Sequence, residues 1–282
     1  MIQNEADTTN KKPGRRKIIF RWSKVIIILY CGIGIALYYL QEKLMFHPEP
    51  LPPDYVFNFN VPFKEVNIAM NANDNLNLVQ FYPESAKPKG VVLYFHGNRG
   101  NINRYAKYAA NFTKNDYEVW IPDYPGYGKT TGKLSEENLY KQANEVYKLA
   151  HSRYKDDSII IYGKSLGSGV AEWIASKKKC KRLILETPYY SMPELFSRYA
   201  PIYPTTAMAH FKFPTFQYLQ EIQEPVTILH GDDYGVVPYS DGKKLTKFFK
   251  PGDEFITIKD GSHNNLNDFP LFHQKLDSLL RE

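Results

Sequence analysis

A glycine-flanked serine at residues 163–167 is the part of the chain whose spacing most directly suggests chemistry. The segment reads Gly-Lys-Ser-Leu-Gly and places Ser165 between an apolar stretch at residues 158–162 and a stretch of helical spacing that begins at Ser168. A serine in a sharp strand-to-helix turn presents its hydroxyl above the sheet, where it can attack an acyl carbonyl. We therefore predict that Ser165 is a nucleophile; the alternative is a serine that only caps the helix.

His263 is the candidate base for this serine. A serine hydroxyl is a poor nucleophile until an imidazole takes its proton, and His263 lies in a Gly-Ser-His-Asn-Asn loop between the last predicted strand and the last predicted helix. The other six histidines have weaker settings: His47, His96, His151, His210, His230 and His273. We therefore predict His263 as the general base.

Two backbone amides complete the predicted site. Acyl transfer needs preorganised donors for the developing oxyanion, and the residue after the nucleophile and the loop after the third strand supply them in such sites. Leu166 is the first predicted donor. The second is Asn98, in the His-Gly-Asn segment that directly follows the apolar stretch at residues 91–95.

The elements around these residues alternate as in an α/β protein. Period-2 hydrophobicity at residues 65–70 and 76–81, with a polar turn between them, predicts an antiparallel hairpin. The later predicted strands are 91–95, 117–121, 158–162, 183–185, 226–229 and 255–258, and the predicted helices are 103–114, 135–154, 168–178, 239–249 and 269–280. Strands that are apolar throughout and alternate with helices predict a mostly parallel sheet with helices on both faces.

Residues 191–224 interrupt this alternation with four prolines and many aromatic residues. Long connections in compact domains tend to be lids or binding loops. We predict a lid-like insertion near the active site. The alternative is that its aromatic side chains only pack on the sheet.

The N-terminal part has the charge and hydropathy pattern of a membrane anchor. Residues 1–24 hold seven Lys or Arg and two acidic residues, and residues 25–40 contain no charge. No site for signal peptidase follows this run, and Trp22, Tyr38 and Tyr39 can extend it into the membrane interfaces. The pattern predicts an uncleaved signal anchor.

The predicted organisation of the chain follows from this anchor. The excess of basic residues places the tail, residues 1–24, in the cytoplasm, with residues 25–40 spanning the membrane. Residues 41–62 contain a proline-dense stretch and are predicted to be a stiff linker. Residues 63–282 form the predicted catalytic domain on the far side of the membrane.

Composition and charge argue against several other classes of protein. A chain of 282 residues that is 43% hydrophobic and 23% charged is too apolar for a disordered tail. Five of its six net positive charges lie in residues 1–24, so the body lacks the basic surface that nucleic-acid binding needs. The chain contains no phosphate loop, His-Glu-x-x-His or dinucleotide-binding motif, and we expect neither a metal nor a cofactor.

The motifs together resemble those of the α/β-hydrolase superfamily of serine hydrolases. They are also similar to a membrane-anchored α/β-hydrolase-domain subfamily, which includes palmitoyl-protein thioesterases and their microbial relatives. The segments that carry the resemblance are residues 41–46, 96–98, 123–128, 163–167, 186–189 and 261–265. The resemblance covers residues 41–282 and implies the α/β-hydrolase fold, here preceded by one transmembrane helix.

The triad acid is the point at which the chain departs from that family. The resemblance implies an Asp four residues after the histidine of a His-Gly strand end and four residues before a Pro. His230 and Pro238 keep this frame, whereas position 234 is Tyr. Asp233 is predicted to orient His263 through a modest change of the turn. The other candidates are Asp232, then Glu186 at the end of the preceding strand, and a site without an acid.

The residues and the resemblance together predict a membrane-anchored serine hydrolase that cleaves acyl esters or thioesters through a covalent acyl-enzyme. The expected partners are the membrane and a small-molecule or lipid-like acyl substrate or an acylated protein; no nucleic acid is expected. Two alternatives stay open. One is a serine peptidase of the same fold, and the other is a non-catalytic binding protein, which Tyr234 motivates.

Overall fold

The structure of the protein is a computed structural model that describes residues 14–233 and 235–282. Tyr234, at the position where the resemblance implies the acid, lies outside the described residues, and so do residues 1–13 of the predicted tail. The chain divides into two units. The first ends at Glu42, and the second comprises Lys43–Glu282 and contains the predicted site.

A single long helix, α1 (Arg15–Met45), accounts for the described part of the first unit. Its 31 residues correspond to about 46 Å at about 1.5 Å per residue, more than the roughly 30 Å of a bilayer core. The mean hydropathy reaches 1.8 over an 18-residue window, and the large apolar side chains are exposed. By length and composition, α1 is a candidate membrane span.

The second unit consists of short strands and helices in alternation. The strands are β1 (His47–Pro48), β2 (Phe63–Ala69), β3 (Asn75–Phe81), β4 (Gly90–Phe95), β5 (Arg99–Gly100), β6 (Tyr117–Pro122), β7 (Ile159–Lys164), β8 (Arg182–Glu186), β9 (Val226–Gly231) and β10 (Glu254–Ile258). The helices are α2 (Ile102–Tyr105), α3 (Ala110–Thr113), α4 (Glu136–His151), α5 (Leu166–Lys177), α6 (Met192–Tyr199), α7 (Thr205–Met208), α8 (Thr215–Glu221), α9 (Tyr239–Lys244) and α10 (Pro270–Arg281).

Eight of these strands form one sheet in the order β10-β9-β8-β7-β4-β6-β3-β2. The pairs β2–β3 and β3–β6 are antiparallel, and the strands from β6 to β10 along the sheet are parallel to their neighbours. The predicted hairpin and the predicted mostly parallel sheet are both confirmed. Because carboxyl ends of parallel strands meet at one edge, the loops after β4, β7, β9 and β10 lie at the same edge of the sheet.

The central strand β4 shows why both faces of the sheet are covered. Successive side chains of a strand point to opposite faces. Val91, Leu93 and Phe95 belong to a cluster that includes apolar residues of α4 and α5. Val92 and Tyr94 belong to a second cluster, which includes residues of α2, α3 and α10. The strand is therefore buried on both sides, as its uninterrupted hydrophobicity predicts.

The predicted helix over residues 103–114 is broken in the structure. α2 ends at Tyr105, a 3₁₀ turn covers Ala106–Tyr108, and α3 occupies Ala110–Thr113. The segment holds two Asn and two Tyr residues, which are weak helix formers, beside three Ala, so propensity alone does not decide its conformation. Its aromatic side chains instead pack on β4 and β7, with the Phe112 ring centroid 5.2 Å from that of Tyr162. Tertiary packing thus decides the local conformation.

The predicted linker, residues 41–62, is bound to the second unit near its start and does not act only as a spacer. From Lys43 onward the chain belongs to the second unit, and β1 pairs in parallel with β5. Further along, the Leu51 N–H donates to the Gly128 carbonyl oxygen at 2.8 Å. Proline-dense sequence prevents a helix here but permits an edge strand, since Pro tolerates extended backbone.

An acidic residue on α5, Glu172, is fully buried. Neither of its carboxyl oxygens has a hydrogen-bond partner among the described residues. Burial disfavours the charged form and raises the pKa of Glu172 well above its usual value of 4.5. The folded protein therefore holds this carboxyl in its neutral form beyond the pH at which the unfolded chain ionises.

We expect the free energy of unfolding to fall as the pH rises above 4.5, because the unfolded chain then releases the Glu172 proton and the folded chain keeps it. This group contributes a slope of up to about 1.4 kcal/mol per pH unit. Urea unfolding of the wild type, Glu172→Gln and the exposed-site control Glu84→Gln between pH 5 and 8 measures it. A pH dependence that Glu172→Gln leaves unchanged would refute this account.

Candidate active site

Ser165 lies in a sharp turn between β7 and α5. Its backbone has φ 51° and ψ −117°, a left-handed conformation that costs a non-glycine residue about 1–3 kcal/mol. The Ser165 N–H donates to the Glu186 carbonyl oxygen at 2.8 Å, and its own carbonyl oxygen accepts the Ser168 hydroxyl at 2.7 Å. Both backbone groups are thus held, and the side chain keeps a small exposed surface.

The two glycines of the G-x-S-x-G pattern allow this turn to pack closely. A Cβ atom on Gly163 would lie 2.7 Å from the Gly167 carbonyl oxygen. A Cβ atom on Gly167 would lie 2.1 Å from the Phe95 carbonyl oxygen, which is backbone and cannot move aside. The start of α5 therefore touches the end of β4 at a distance that only glycine permits.

His263 reaches Ser165 from the loop between β10 and α10. Its Nε2 atom lies 2.9 Å from the Ser165 Oγ atom, although 98 residues separate the two in sequence. Gly235 packs against the same histidine, since a Cβ atom there would lie 2.9 Å from the Cβ of His263. The structure therefore brings the predicted nucleophile and the predicted base within hydrogen-bond distance.

The surroundings of His263 keep its imidazole neutral. Burial, together with the nearby Lys164 ammonium and His230, lowers the pKa of His263 to about 3. At neutral pH the ring therefore has a lone pair available. With Nδ1 protonated, Nε2 can accept the proton of the Ser165 hydroxyl.

Asp232 and Asp233 lie on a loop that contacts the loop of His263, but neither carboxylate is a hydrogen-bond partner of His263 Nδ1. The Nδ1 atom of His263 has no hydrogen-bond partner among the residues that the structure describes. Asp232 accepts the Asp260 N–H at 2.6 Å with its carboxylate, and the Asp233 N–H donates to the Gly261 carbonyl oxygen at 3.0 Å. The loop of Asp232 and Asp233 thus lies beside the loop of His263. That Asp233 orients His263 stays a prediction.

Glu186, the third candidate acid, is engaged elsewhere. Its carboxylate accepts the Tyr162 hydroxyl and pairs with the Lys164 ammonium. Both members of this ion pair are almost completely buried, and a buried pair is costly to separate because the charge that remains has no partner. The pair joins the end of β7, directly before Ser165, to the end of the neighbouring strand β8, and it does not involve His263.

The loop that carries the predicted amide of Asn98 passes beside the serine. A Cβ atom on Gly97 would lie 3.8 Å from the Ser165 Cβ. On the other side, Leu166 is the first residue of α5, so its N–H has no intrahelical acceptor and lies at the positive end of the helix dipole. The two predicted donors therefore come from elements that flank the nucleophile.

His96 and Asp123 support this loop, a role that the sequence analysis did not assign to either. The Nδ1 atom of His96 lies 2.7 Å from the Gly97 carbonyl oxygen, and its Nε2 atom lies 3.2 Å from the Asp123 carboxylate. Both side chains are fully buried, and the Tyr124 hydroxyl donates to the His96 carbonyl oxygen. The sequence signal that could have indicated this role is the Asp-Tyr-Pro-Gly-Tyr-Gly segment at residues 123–128, which supplies both Asp123 and Tyr124.

The predicted insertion at residues 191–224 forms three short helices. Some of its aromatic side chains are buried and others are exposed. Phe211 and Phe213 are buried in the core, and Glu136 at the start of α4 accepts the Phe213 N–H, so this part packs on the body. Tyr199 is 66% exposed, and its hydroxyl donates to the Val236 carbonyl oxygen beside the histidine loop. The insertion is therefore partly core and partly a rim near the site.

Within residues 14–233 and 235–282, no group of three or more His, Cys, Asp or Glu side chains is arranged to hold a metal ion.

Comparisons with protein sequences place residues 86–218 in a match to the profile of the family described as serine aminopeptidase, S33. Alpha/beta hydrolase domain-containing protein 17C of Mus musculus is 26% identical over 220 residues, which are 76% of this chain and 66% of that protein. Its Xenopus tropicalis counterpart is 28% identical over 194 residues, 67% and 60% of the two chains. The chain thus spans slightly less than two thirds of these relatives.

Comparisons with solved structures identify the fold. An esterase of Pyrococcus furiosus superimposes with a TM-score of 0.65 at 18% identity, over 84% of this chain and 97% of that one. A soluble variant of monoglyceride lipase from Saccharomyces cerevisiae, solved with a substrate analog, gives 0.62 at 15% identity, over 82% and 98%. The body therefore has the same fold as these proteins.

The low pKa of His263 has a consequence for the reactivity of Ser165. Because the imidazole stays neutral down to about pH 3, we expect the rate at which a fluorophosphonate modifies Ser165 to stay level between pH 5 and 8. Labelling rates in a series of buffers measure this, and enzyme returned from pH 5 to pH 7 controls for unfolding. A loss of reactivity with a midpoint near 6.5 would contradict this prediction and would show that the imidazole is solvated, or already paired with a carboxylate, before any substrate binds.

Proposed function

Because the chain belongs to the α/β-hydrolase superfamily, we propose that it is a serine hydrolase that cleaves acyl esters or thioesters through a covalent acyl-enzyme. The 2.9 Å contact between the Ser165 hydroxyl and the His263 imidazole carries the proposal. A nucleophile and a base at hydrogen-bond distance, with backbone amides nearby for the oxyanion, is the arrangement that acyl transfer needs.

The reaction begins with attack of the Ser165 Oγ on the acyl carbonyl carbon while Nε2 of His263 takes the hydroxyl proton. The negative charge on the former carbonyl oxygen is bound by the N–H groups of Leu166 and Asn98. His263 then gives its proton to the departing alcohol or thiol as the C–O or C–S bond breaks. The acyl group remains on Ser165.

A water molecule completes the cycle. His263 takes a proton from the water as its oxygen attacks the acyl-enzyme, and the second tetrahedral intermediate uses the same two amides. The bond to Ser165 breaks as His263 returns the proton to Oγ, and the carboxylic acid leaves. Each half of the cycle places a positive charge on His263, so a carboxylate at its Nδ1 atom is valuable.

Asp233 is our proposed source of that carboxylate. Its backbone already bonds to Gly261, two residues before His263, so a modest change of the turn brings its side chain towards Nδ1. Asp232 is the second choice because its carboxylate already accepts the Asp260 N–H.

The proposed substrate has an apolar acyl group. The side chains of Tyr199, Ile202 and Val236 are more than half exposed, and Tyr199 joins Val236 beside the histidine loop. Exposed apolar side chains at the rim of a site fit an apolar ligand. The esterase and the monoglyceride lipase of the same fold support an ester substrate. The profile described as serine aminopeptidase supports a peptidase as the second candidate.

The proposed location is a membrane, with α1 as a single-pass signal anchor. The length and hydropathy of α1 support this, and the basic residues just before it and in its first turns favour a cytoplasmic N-terminus with the body on the other side. An anchored enzyme meets lipid-like acyl substrates at the surface where they are most concentrated. The membrane is therefore the proposed partner of α1.

We expect Ser165→Ala to abolish both fluorophosphonate labelling and turnover of p-nitrophenyl esters, with a thermal midpoint close to that of the wild type. Removing the Ser165 Oγ removes the proposed nucleophile and leaves the packing of the turn. Ser176→Ala, on the far part of α5, is the matched control and should label like the wild type. Equal hydrolysis by wild type and Ser165→Ala would overturn the proposal.

The same assay ranks the substrate classes. Matched acyl esters, acyl thioesters and aminoacyl anilides are compared at equal concentration. A kcat/KM for the anilide above that for both acyl compounds would favour the peptidase instead.

The acid is tested by a set of neighbouring variants. We expect Asp233→Asn to lower kcat by a factor of about a hundred or more, whereas Asp232→Asn has a small effect, because only the former removes the carboxylate that stabilises the His263 imidazolium. Tyr234→Asp places an acid at the position that the family implies, and we expect it to rescue Asp233→Asn. A large effect of Asp232→Asn beside a small one of Asp233→Asn would move the role to Asp232.

A further inference from the structure

The segment of residues 45–51, here called the strap, lies along the loop that carries Asn98. Its strand β1 pairs in parallel with β5, so that His47 is opposite Arg99 and Pro48 is opposite Gly100. The Glu49 N–H donates to the Gly100 carbonyl oxygen at 3.1 Å. The strap thus forms the outer strand of a two-stranded sheet whose inner strand directly follows Asn98.

Asn98 itself is held by the strap at two atoms. The His47 N–H donates to the Asn98 carbonyl oxygen at 2.9 Å, and the Asn98 side-chain amide donates to the Met45 carbonyl oxygen at 2.6 Å. The Tyr127 hydroxyl also donates to the Asn98 carbonyl oxygen, at 2.8 Å. With both its carbonyl and its side chain held, Asn98 has little freedom to move relative to the strap.

The loop needs this outside support because its own sequence is permissive. Gly97 and Gly100 flank Asn98 and Arg99, and Gly100 has φ 79°. Glycine populates many backbone conformations at low cost, so a loop of this composition does not fix the direction of an amide by itself. Preorganised donors are effective because they need no reorganisation during the reaction.

The strap is itself firmly attached to the body. The Glu49 carbonyl oxygen accepts the Asn101 side-chain amide at 2.8 Å and the Gly128 N–H at 3.1 Å. The Phe46 ring is buried, with its centroid 4.6 Å from that of Phe211 in the insertion. The strap therefore has contacts to the body besides those to the loop of Asn98, so it can hold that loop in place.

We propose that the strap is a positioning element of the oxyanion site: the His47 and Glu49 N–H groups hold the loop so that the Asn98 amide faces the charge that develops on the substrate. The inference rests on the proposed function. It gives the segment at the end of α1 and directly after it a second role besides attachment, because these residues also position the site.

Two pairs of variants of the full chain in mild detergent test the proposal. His47→Pro removes the N–H that bonds to Asn98, whereas His47→Ala keeps it, so their difference isolates one backbone donor. Glu49→Pro and Glu49→Ala do the same for the bond to Gly100. We expect kcat for a p-nitrophenyl ester to be about tenfold to a hundredfold lower in each Pro variant than in its Ala partner, with KM within about threefold, because the oxyanion contact acts in the transition state.

An alkyl boronic acid separates positioning from general damage. It binds Ser165 as a tetrahedral adduct with an oxygen at the oxyanion position, so its inhibition constant should rise by the factor by which kcat falls. Thermal midpoints close to those of the Ala partners show that the variants are folded. If His47→Pro does not fold, the Glu49 pair decides.

Equal kcat and equal boronic acid affinity in the Pro and Ala partners would overturn the inference, and so would a rise in KM at constant kcat. In both cases Ser165-dependent turnover by the wild type would leave the proposed function standing. A wild type without Ser165-dependent turnover would overturn both.

Discussion

The left-handed backbone of Ser165 is the constraint on which the rest of the site depends. Because this one residue turns the chain from β7 into α5, it sets the direction of the hydroxyl, the position of the Leu166 amide and the start of the helix. The turn is possible only where Gly167 lets α5 touch the end of β4. Strain of about 1–3 kcal/mol persists at such a residue because the surrounding packing over-determines it.

Burial makes the electrostatics of the site unusual. His263 faces Ser165 in a place that disfavours positive charge, and the Lys164 ammonium increases this effect even though Glu186 pairs with it. A neutral imidazole is ready to accept a proton, but the imidazolium that results needs a carboxylate partner. The chain has acids in the neighbouring loop and a tyrosine at the position where the resemblance implies an aspartate, so the proposed role of His263 as a base depends on how that loop is arranged.

Support for the oxyanion loop comes from several separate parts of the chain. His96 and Asp123 hold it from inside the body, and the strap holds it from the outside. The hydrogen bond between Asn98 and Met45 joins residues 53 positions apart. Attachment of the body to the candidate anchor and completion of the site are therefore served by the same few residues, and a change in one affects the other.

Local pattern by itself determined much of this protein. The hairpin, the parallel strands, the helices α4, α5, α9 and α10, the apolar N-terminal run and the pair Ser165 and His263 follow from spacing, hydrophobic periodicity and the requirements of acyl transfer. These features depend on neighbours within a few residues, or on the rule that carboxyl ends of parallel strands meet at one edge. The long helix predicted over residues 103–114 failed because its aromatic side chains pack on strands far away in sequence.

Only the tertiary structure decided the rest. Asp123 supports His96, Glu186 pairs with Lys164, and His47–Pro48 at the start of the proline-dense stretch forms a strand beside the loop of Asn98, all through contacts between distant segments. No periodicity encodes such contacts, since they depend on which loops the topology brings together. Burial likewise appears only in the fold, and burial is what lowers the pKa of His263 and raises that of Glu172.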